Sequence, residues 1–284
     1  MNHKVLSLGL ALTLSLSLAA CGGDTSSNGD ASSNGSNAST SGSQQTASFT
    51  TVEEGKLIMS TNAQFPPYEL VADGAGFEGT GFEGIDVEIA WAIAEKLGLE
   101  LVIDDMEFDS ALMAVQENRS DIVLAGLSYN EERDEVMDFT SKYATGVQVV
   151  IVKEGSDVTL DNLGEKMIGT QRGTTGYLYA SDTPENGGYG EDHVSAYDNG
   201  ATAVQALVND QIDAVIIDQA PAEEYVAANP GLTILPGAWV EEDYCIAVDE
   251  GNTALLDAVQ GALDELTADG TVDQIIAKYI NAEG

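Results

Sequence analysis

The chain has 284 residues and sets 48 acidic side chains against 10 basic ones, a formal net charge of −38 at neutral pH. Such an excess of negative charge argues against nucleic acid or an anionic membrane surface as a partner, since both would repel it, and it suits a solubilising surface. With two cysteines, two histidines, no EF-hand spacing and no phosphate-cradling glycine loop, the sequence offers no site for zinc, calcium or a nucleotide, and no metal or cofactor is expected.

The start, Met1-Asn2-His3-Lys4, is weakly basic and leads into an apolar run with scattered serines over residues 5–18. The run is short for a bilayer span and carries the flanks of a secretory signal. Leu18-Ala19-Ala20-Cys21 resembles the bacterial lipobox, in which the cysteine is lipidated and becomes the mature N-terminus. Residues 1–20 are therefore expected to be a lipoprotein signal peptide, with an ordinary secretory signal and an incidental cysteine as the alternative. Residues 22–50 are rich in Ser, Asn, Gly and Thr and lack hydrophobic periodicity. Such a tract behaves as flexible coil with a reach of roughly 30 Å, so residues 21–50 read as a lipidated cysteine and tether. Once Cys21 is used, Cys245 has no disulfide partner and reads as a small buried hydrophobe. His193, in a polar loop, reads as solvated.

From about residue 51 strands and helices alternate. Residues 56–60 read as a strand. Asp86 is expected to cap a helix through Leu97, with Ile85, Ile89, Ile93 and Leu97 four residues apart and Gly98 just past its end. Residues 99–103 read as a strand, and Asp109 is expected to cap the next helix, through about Asn118. Apolar runs at 122–125, 147–152, 166–170 and 214–217 read as strands, and 201–208, 253–268 and 272–279 as helices. This order implies largely parallel sheets covered by helices.

Arg133 stands out because the chain has only three arginines. It follows a short strand and Gly126-Leu127-Ser128, where open α/β sheets bind ligands. Its planar, paired donors match a carboxylate, so it reads as an anion clamp, with a surface ion pair to Glu131, Glu132 or Glu135 as the alternative. Residues 115–124 are echoed by 207–216: helix end, polar turn, aspartate, apolar strand. The first copy delivers Arg133 and the second Asp218, which suggests two similar lobes facing one site. Ordinary helix-to-strand turn chemistry arising twice is the alternative.

Several segments together are similar to the family 3 extracellular solute-binding proteins, the polar amino acid receptors of ABC importers. Residues 61–68, TNAQFPPY, resemble the family's opening T-x-x-x-F-x-P-[FY], and residues 84–90, GIDVEIA, resemble G-[FI]-D-V-[DE]-[IL]-A. Phe108-Asp109 and residues 121–139 follow its order of aspartate, strand, G-[LM]-[ST], E-R and D-F-[ST]. Gly173-Thr174-Thr175-Gly176 resembles its G-T-T-G turn, and 213–218 its second-lobe strand.

The resemblance implies a periplasmic-binding-protein fold: two αβα lobes joined by a two-strand hinge near residues 143–148 and 237–242. Lobe 1 would comprise 51–145 plus 240–284, and lobe 2 residues 146–239. It implies that Arg133 binds the α-carboxylate of a free amino acid, assisted by the Ser128 hydroxyl and by Thr174 and Thr175 at a helix start. Gly126 would offer its carbonyl to the α-ammonium, and Asp218 would pair with it. Phe65 and Phe108 would sandwich the ligand and Asn62 would face its side chain. Arg172 is a candidate for specificity, with a surface ion pair as the alternative. The implied partners are the ABC transporter membrane permease and, through the lipid, the outer face of the cytoplasmic membrane; the protein is expected to act as a monomer and not as an enzyme. An enzyme on the same bilobal fold and a ligand-sensing subunit are the rival readings. The chain departs from the family in a near-repeat, Gly76-Phe77-Glu78-Gly79 before Gly81-Phe82-Glu83-Gly84, which reads as a lengthened turn.

Overall fold

The computed structural model describes residues 49–280. The expected signal peptide, Cys21 and nearly all of the tether lie outside the described residues. No described helix is long and apolar enough to cross a membrane.

Two α/β lobes are each built on one sheet. The first sheet has the strand order Glu100–Asp105, Lys56–Thr61, Ile122–Val123, Ala247–Asp249, Met137–Phe139. The second runs Val194–Tyr197, Ile168–Gln171, Ala214–Asp218, Ala144–Lys153, Leu232–Ile234. Largely parallel sheets were expected; in fact each sheet is parallel in one half and antiparallel in the other. The reason is the chain path. Ala144–Lys153 carries the chain into the second lobe, Val240–Tyr244 returns antiparallel beside its first half, and Ala247–Asp249 re-enters the first sheet against the grain. These two paired strands form the hinge.

Apolar residues cover both faces of each sheet. On one face of the first, Ile85, Ile89 and Ile93 are fully buried along the helix Ile85–Leu97 and meet the C-terminal helices Thr253–Ala268 and Thr271–Tyr279. On the other, Phe108, Ala111 and Val115 of the helix Phe108–Gln116 pack on Val123 and Ala247. The second sheet is flanked in the same way by two separate clusters. A helix that buries one stripe against a sheet gains roughly 25 cal/mol per Å² of apolar surface removed from water, which is what fixes its position.

Both expected aspartate caps are corrected. The first helix is preceded by Gly84 at φ 133, where a Cβ would lie 2.1 Å from the Tyr68 carbonyl oxygen, so Asp86 falls in the first turn and points inward. The second helix starts after Glu107, two residues earlier than expected, and Asp109 lies in its first turn without capping it. The strand at 122–125 is also shorter, ending at Val123 as the chain turns toward Gly126 at φ 51.

The echoed segments are one repeated device. Asn118 (φ 54) and Asp210 (φ 59) both take the left-handed conformation after their helices. Asp121 then accepts from the Ile58 N–H at 2.7 Å, and Asp213 from the Met167 N–H at 2.8 Å, each in or just before an interior strand of its sheet. In the near-repeat, Phe77 packs edge-on against Trp91 with ring centroids 5.6 Å apart, and Lys278 Nζ lies 5.4 Å from the Phe77 ring centre. It therefore ties the lengthened turn to the outer side of the first helix. Cys245 is buried, as expected.

Candidate ligand-binding site

A cavity between the lobes is lined by Asn62, Phe65, Glu69, Phe108, Ala125, Gly126 and Ser128 of the first lobe, with Arg133, and by Gln171, Thr174, Thr175 and Asp218 of the second. The structure thus gathers into one place residues that lie 156 positions apart in sequence, from Asn62 to Asp218. Arg172 is not among them. It is exposed, because neighbouring side chains at a strand end point to opposite faces, and its neighbour Gln171 takes the inward position.

Arg133 is 6% exposed. It sits in a short helix, Glu131–Asp134, whose cap Asn130 accepts the Arg133 N–H at 2.8 Å. Its Nη1 donates to the Ser128 carbonyl at 2.5 Å and its Nη2 to the Gly173 carbonyl of the other lobe at 3.0 Å. The Phe108 ring centre lies 5.5 Å from the guanidinium carbon, close enough for a cation–π contact. Carbonyls, not Glu131, Glu132 or Glu135, are its partners, so the alternative surface ion pair does not form. Burial pulls the guanidinium pKa down, opposed chiefly by the nearby Glu242 carboxylate. A buried cation held by neutral carbonyls favours an anion at its remaining donors.

Asp218 ends the strand Ala214–Asp218 and accepts a hydrogen bond from the Tyr244 hydroxyl. Enclosure pushes its pKa up to about 7, although the Tyr244 bond works the other way. Asp86 lies below Gly126, accepting its N–H at 2.8 Å and the Tyr143 hydroxyl at 2.8 Å; burial lifts its pKa to about 6. Gly126 has no room for a side chain, since a Cβ would sit 2.7 Å from Phe65 Cε1. The Phe65 ring therefore packs directly against the turn that carries the Gly126 carbonyl.

Glu69 was not anticipated. It is fully buried, and neither carboxylate oxygen meets a donor among the described residues. Burial, and then the charge of Asp86, raises its pKa well above the usual carboxylate range. Its sequence signal was weak: one more acid among 48, directly after Pro-Pro-Tyr. Gln171, also missed, donates to Asn62 Oδ1 at 3.0 Å, while Asn62 Nδ2 donates to the Met106 carbonyl at 2.9 Å. Asn62 is therefore fixed from both lobes at the end of the cavity.

The helix Thr175–Ser181 opens toward the cavity. Thr174 caps it, accepting from the Tyr177 N–H at 3.3 Å and donating to the Gln171 carbonyl at 2.8 Å. Gly173 at φ 72 brings this turn against Asp109 of the first lobe. The hydroxyls of Ser128 and Thr175 both donate to Glu242, at 3.0 and 2.7 Å.

The model of the bacterial extracellular solute-binding proteins, family 3, matches residues 57–282. The chain belongs to this family. It is 32% identical over 232 residues to the arginine-binding extracellular protein ArtP of Bacillus subtilis, covering 80% of this chain and 87% of that one. It is 30% identical to the L-cystine-binding protein TcyJ of Escherichia coli, over 81% of this chain and 85% of the relative. An ancestral arginine-binding protein bound to arginine superposes with a TM-score of 0.71 at 35% identity, covering 80% and 99% of the two chains. The fold is thus the two-lobed one of solute-binding proteins, the class of protein is a binder, and nothing in these likenesses favours an enzyme.

Proposed function

We propose that the protein captures a free amino acid outside the cytoplasm, closes its lobes on it and delivers it to the membrane permease of an ABC importer. The observation that carries this reading is the pair Arg133 and Asp218, a buried cation from one lobe and a carboxylate from the other, facing one cavity. A zwitterion is the small solute that satisfies both. Arg133 and the N–H groups at the start of the helix Thr175–Ser181 hold the α-carboxylate. Asp218 and the Gly126 carbonyl hold the α-ammonium, and Phe65 and Phe108 flank the aliphatic part. Lobe 1 is residues 51–145 plus 240–284 and lobe 2 residues 146–239. Cys21 is the lipidated N-terminus of the mature chain, which works as a monomer on the outer face of the cytoplasmic membrane.

Glu69 supports a narrower reading. Two buried carboxyl oxygens that meet no donor among the described residues favour a ligand whose side chain donates and is positively charged. Relatives named for arginine and for cystine stand at similar identity, so this feature of the site, more than overall likeness, argues for a basic amino acid. Calorimetric titration with arginine, lysine, histidine, glutamine, cystine and aspartate tests both levels. Binding of a basic amino acid supports them; binding of cystine or glutamine alone removes the Glu69 assignment; no binding removes the proposed function.

A further inference from the structure

One oxygen of Glu242 gathers donors from across the molecule. Its Oε2 accepts from Ser128 Oγ at 3.0 Å, from Gln148 Nε2 at 2.7 Å and from Thr175 Oγ1 at 2.7 Å. Ser128 belongs to the first lobe and meets the return strand at a bridge to Tyr244. Thr175 opens a helix of the second lobe, and Glu242 and Gln148 lie on the two hinge strands. Gln148 Nε2 also donates to Thr175 Oγ1 at 2.7 Å, so the single proton of that hydroxyl is committed to Glu242. Glu242 is 8% exposed, and its second oxygen, Oε1, accepts no hydrogen bond within 3.5 Å among the described residues.

A buried carboxylate is tolerated only while donors surround it. Opening the cleft separates Ser128 from Thr175, and Glu242 can follow only one of them. The loss falls on the open arrangement alone, which is the condition for biasing a two-state equilibrium.

We propose that Glu242 is an internal latch, a positioning residue that favours closure of the lobes independently of which solute is bound. It also sets how the solute is held: with the Ser128 and Thr175 hydroxyls turned to Glu242, the ligand carboxylate is left to Arg133 and backbone N–H groups. The latch rests on the two-lobed fold and not on the ligand's identity.

The test is small-angle scattering on the solute-free full chain, comparing wild type with Glu242→Ala, Glu242→Gln and Thr175→Val. Glu242→Ala is expected to enlarge the radius of gyration, Thr175→Val to do so in part, and Glu242→Gln, which keeps a carbonyl acceptor, to remain near wild type. Adding Thr175→Val to Glu242→Ala should cause no further change. Where a solute binds, Glu242→Ala should weaken every amino acid by a common factor of about 10- to 100-fold, because it lowers the population competent to bind. Radii unchanged in both Glu242→Ala and Thr175→Val, with only the melting temperature lowered, would overturn the latch and leave Glu242 a plain structural acceptor. Because the scattering arm uses no ligand, its result stands apart from whether an amino acid is bound at all.

Discussion

Arg133, carried by the first lobe, donates through Nη2 to the carbonyl of Gly173 in the second, at 3.0 Å. The residue proposed to hold the ligand carboxylate is therefore itself a contact between the lobes. Closure and ligand capture share one side chain, which explains why a cation can be kept 94% covered without an acidic partner of its own.

Replacing it removes both roles. Arg133→Ala is expected to abolish amino acid binding while the separate lobe cores stay folded. Truncating one partner of a buried charged pair costs about 2–5 kcal/mol, or about 30-fold to several-thousand-fold in affinity. Arg133→Lys should also bind poorly, since an ammonium cannot span the Ser128 carbonyl, the Gly173 carbonyl and a ligand carboxylate at once. Titration calorimetry with near-wild-type affinity for Arg133→Ala would refute the role.

Glu69 should govern the side-chain end of the ligand. Glu69→Gln keeps size and hydrogen-bonding capacity but removes the carboxyl that a cationic ligand side chain would hold ionised. It is expected to cost a basic amino acid about 2 kcal/mol or more while weakening a neutral one little, a shift in ratio of roughly 30-fold. Competition of labelled arginine by unlabelled glutamine, in wild type and variant, reads that ratio directly. An unchanged ratio removes Glu69 from the site.

The buried carboxylates give stability and binding opposite responses to pH. Asp218 is raised from 3.8 to about 7 and Asp86 from 3.8 to about 6. In that window the folded state holds protons that the unfolded chain has released, so stability contributed by these groups is present at low pH and is lost as pH rises from about 4 to 7. The expected slope is at most about 1.4 kcal/mol per pH unit for each group. Binding runs the other way, because an ammonium needs Asp218 ionised: affinity should rise as pH passes through about 7, with a proton released near pH 6.5. Thermal melts across pH, and titrations in two buffers of different ionisation enthalpy, check the two signs. Asp218→Asn should flatten the binding response and remove its own share of the stability loss, leaving that of Asp86.

Cys21→Ser should leave the chain unlipidated and absent from the washed membrane fraction, since no described helix offers another anchor. Retention of the variant on membranes in high salt would contradict the lipid anchor.

Much of this was legible because the residues concerned carry conspicuous local signals. Arg133 is one of three arginines and follows a strand; Asp218 ends an apolar strand; the glycines at 126 and 173 mark turns with positive φ. Glu69, Gln148 and Glu242 were not legible, because their meaning depends on burial and on partners 67 to 114 residues away in the case of Glu242. Arg172 misled for a local reason: strand alternation turns it outward and gives the cavity to Gln171. Asp86 and Asp109 resemble helix caps in sequence, yet close backbone approaches at Gly84 and Gly173 put them to other uses.

The most direct test of the zwitterion clamp is a titration of the wild-type protein at pH 8 with L-arginine, with its decarboxylated amine and with its Nα-acetyl derivative. Arginine should bind and stabilise the fold by about 2.7 kcal/mol at a hundred times its dissociation constant. The two analogues, each lacking one of the charges assigned to Arg133 or Asp218, should bind at least about 30-fold more weakly. Equal affinity for all three, or none for arginine or any other free amino acid, would contradict the account.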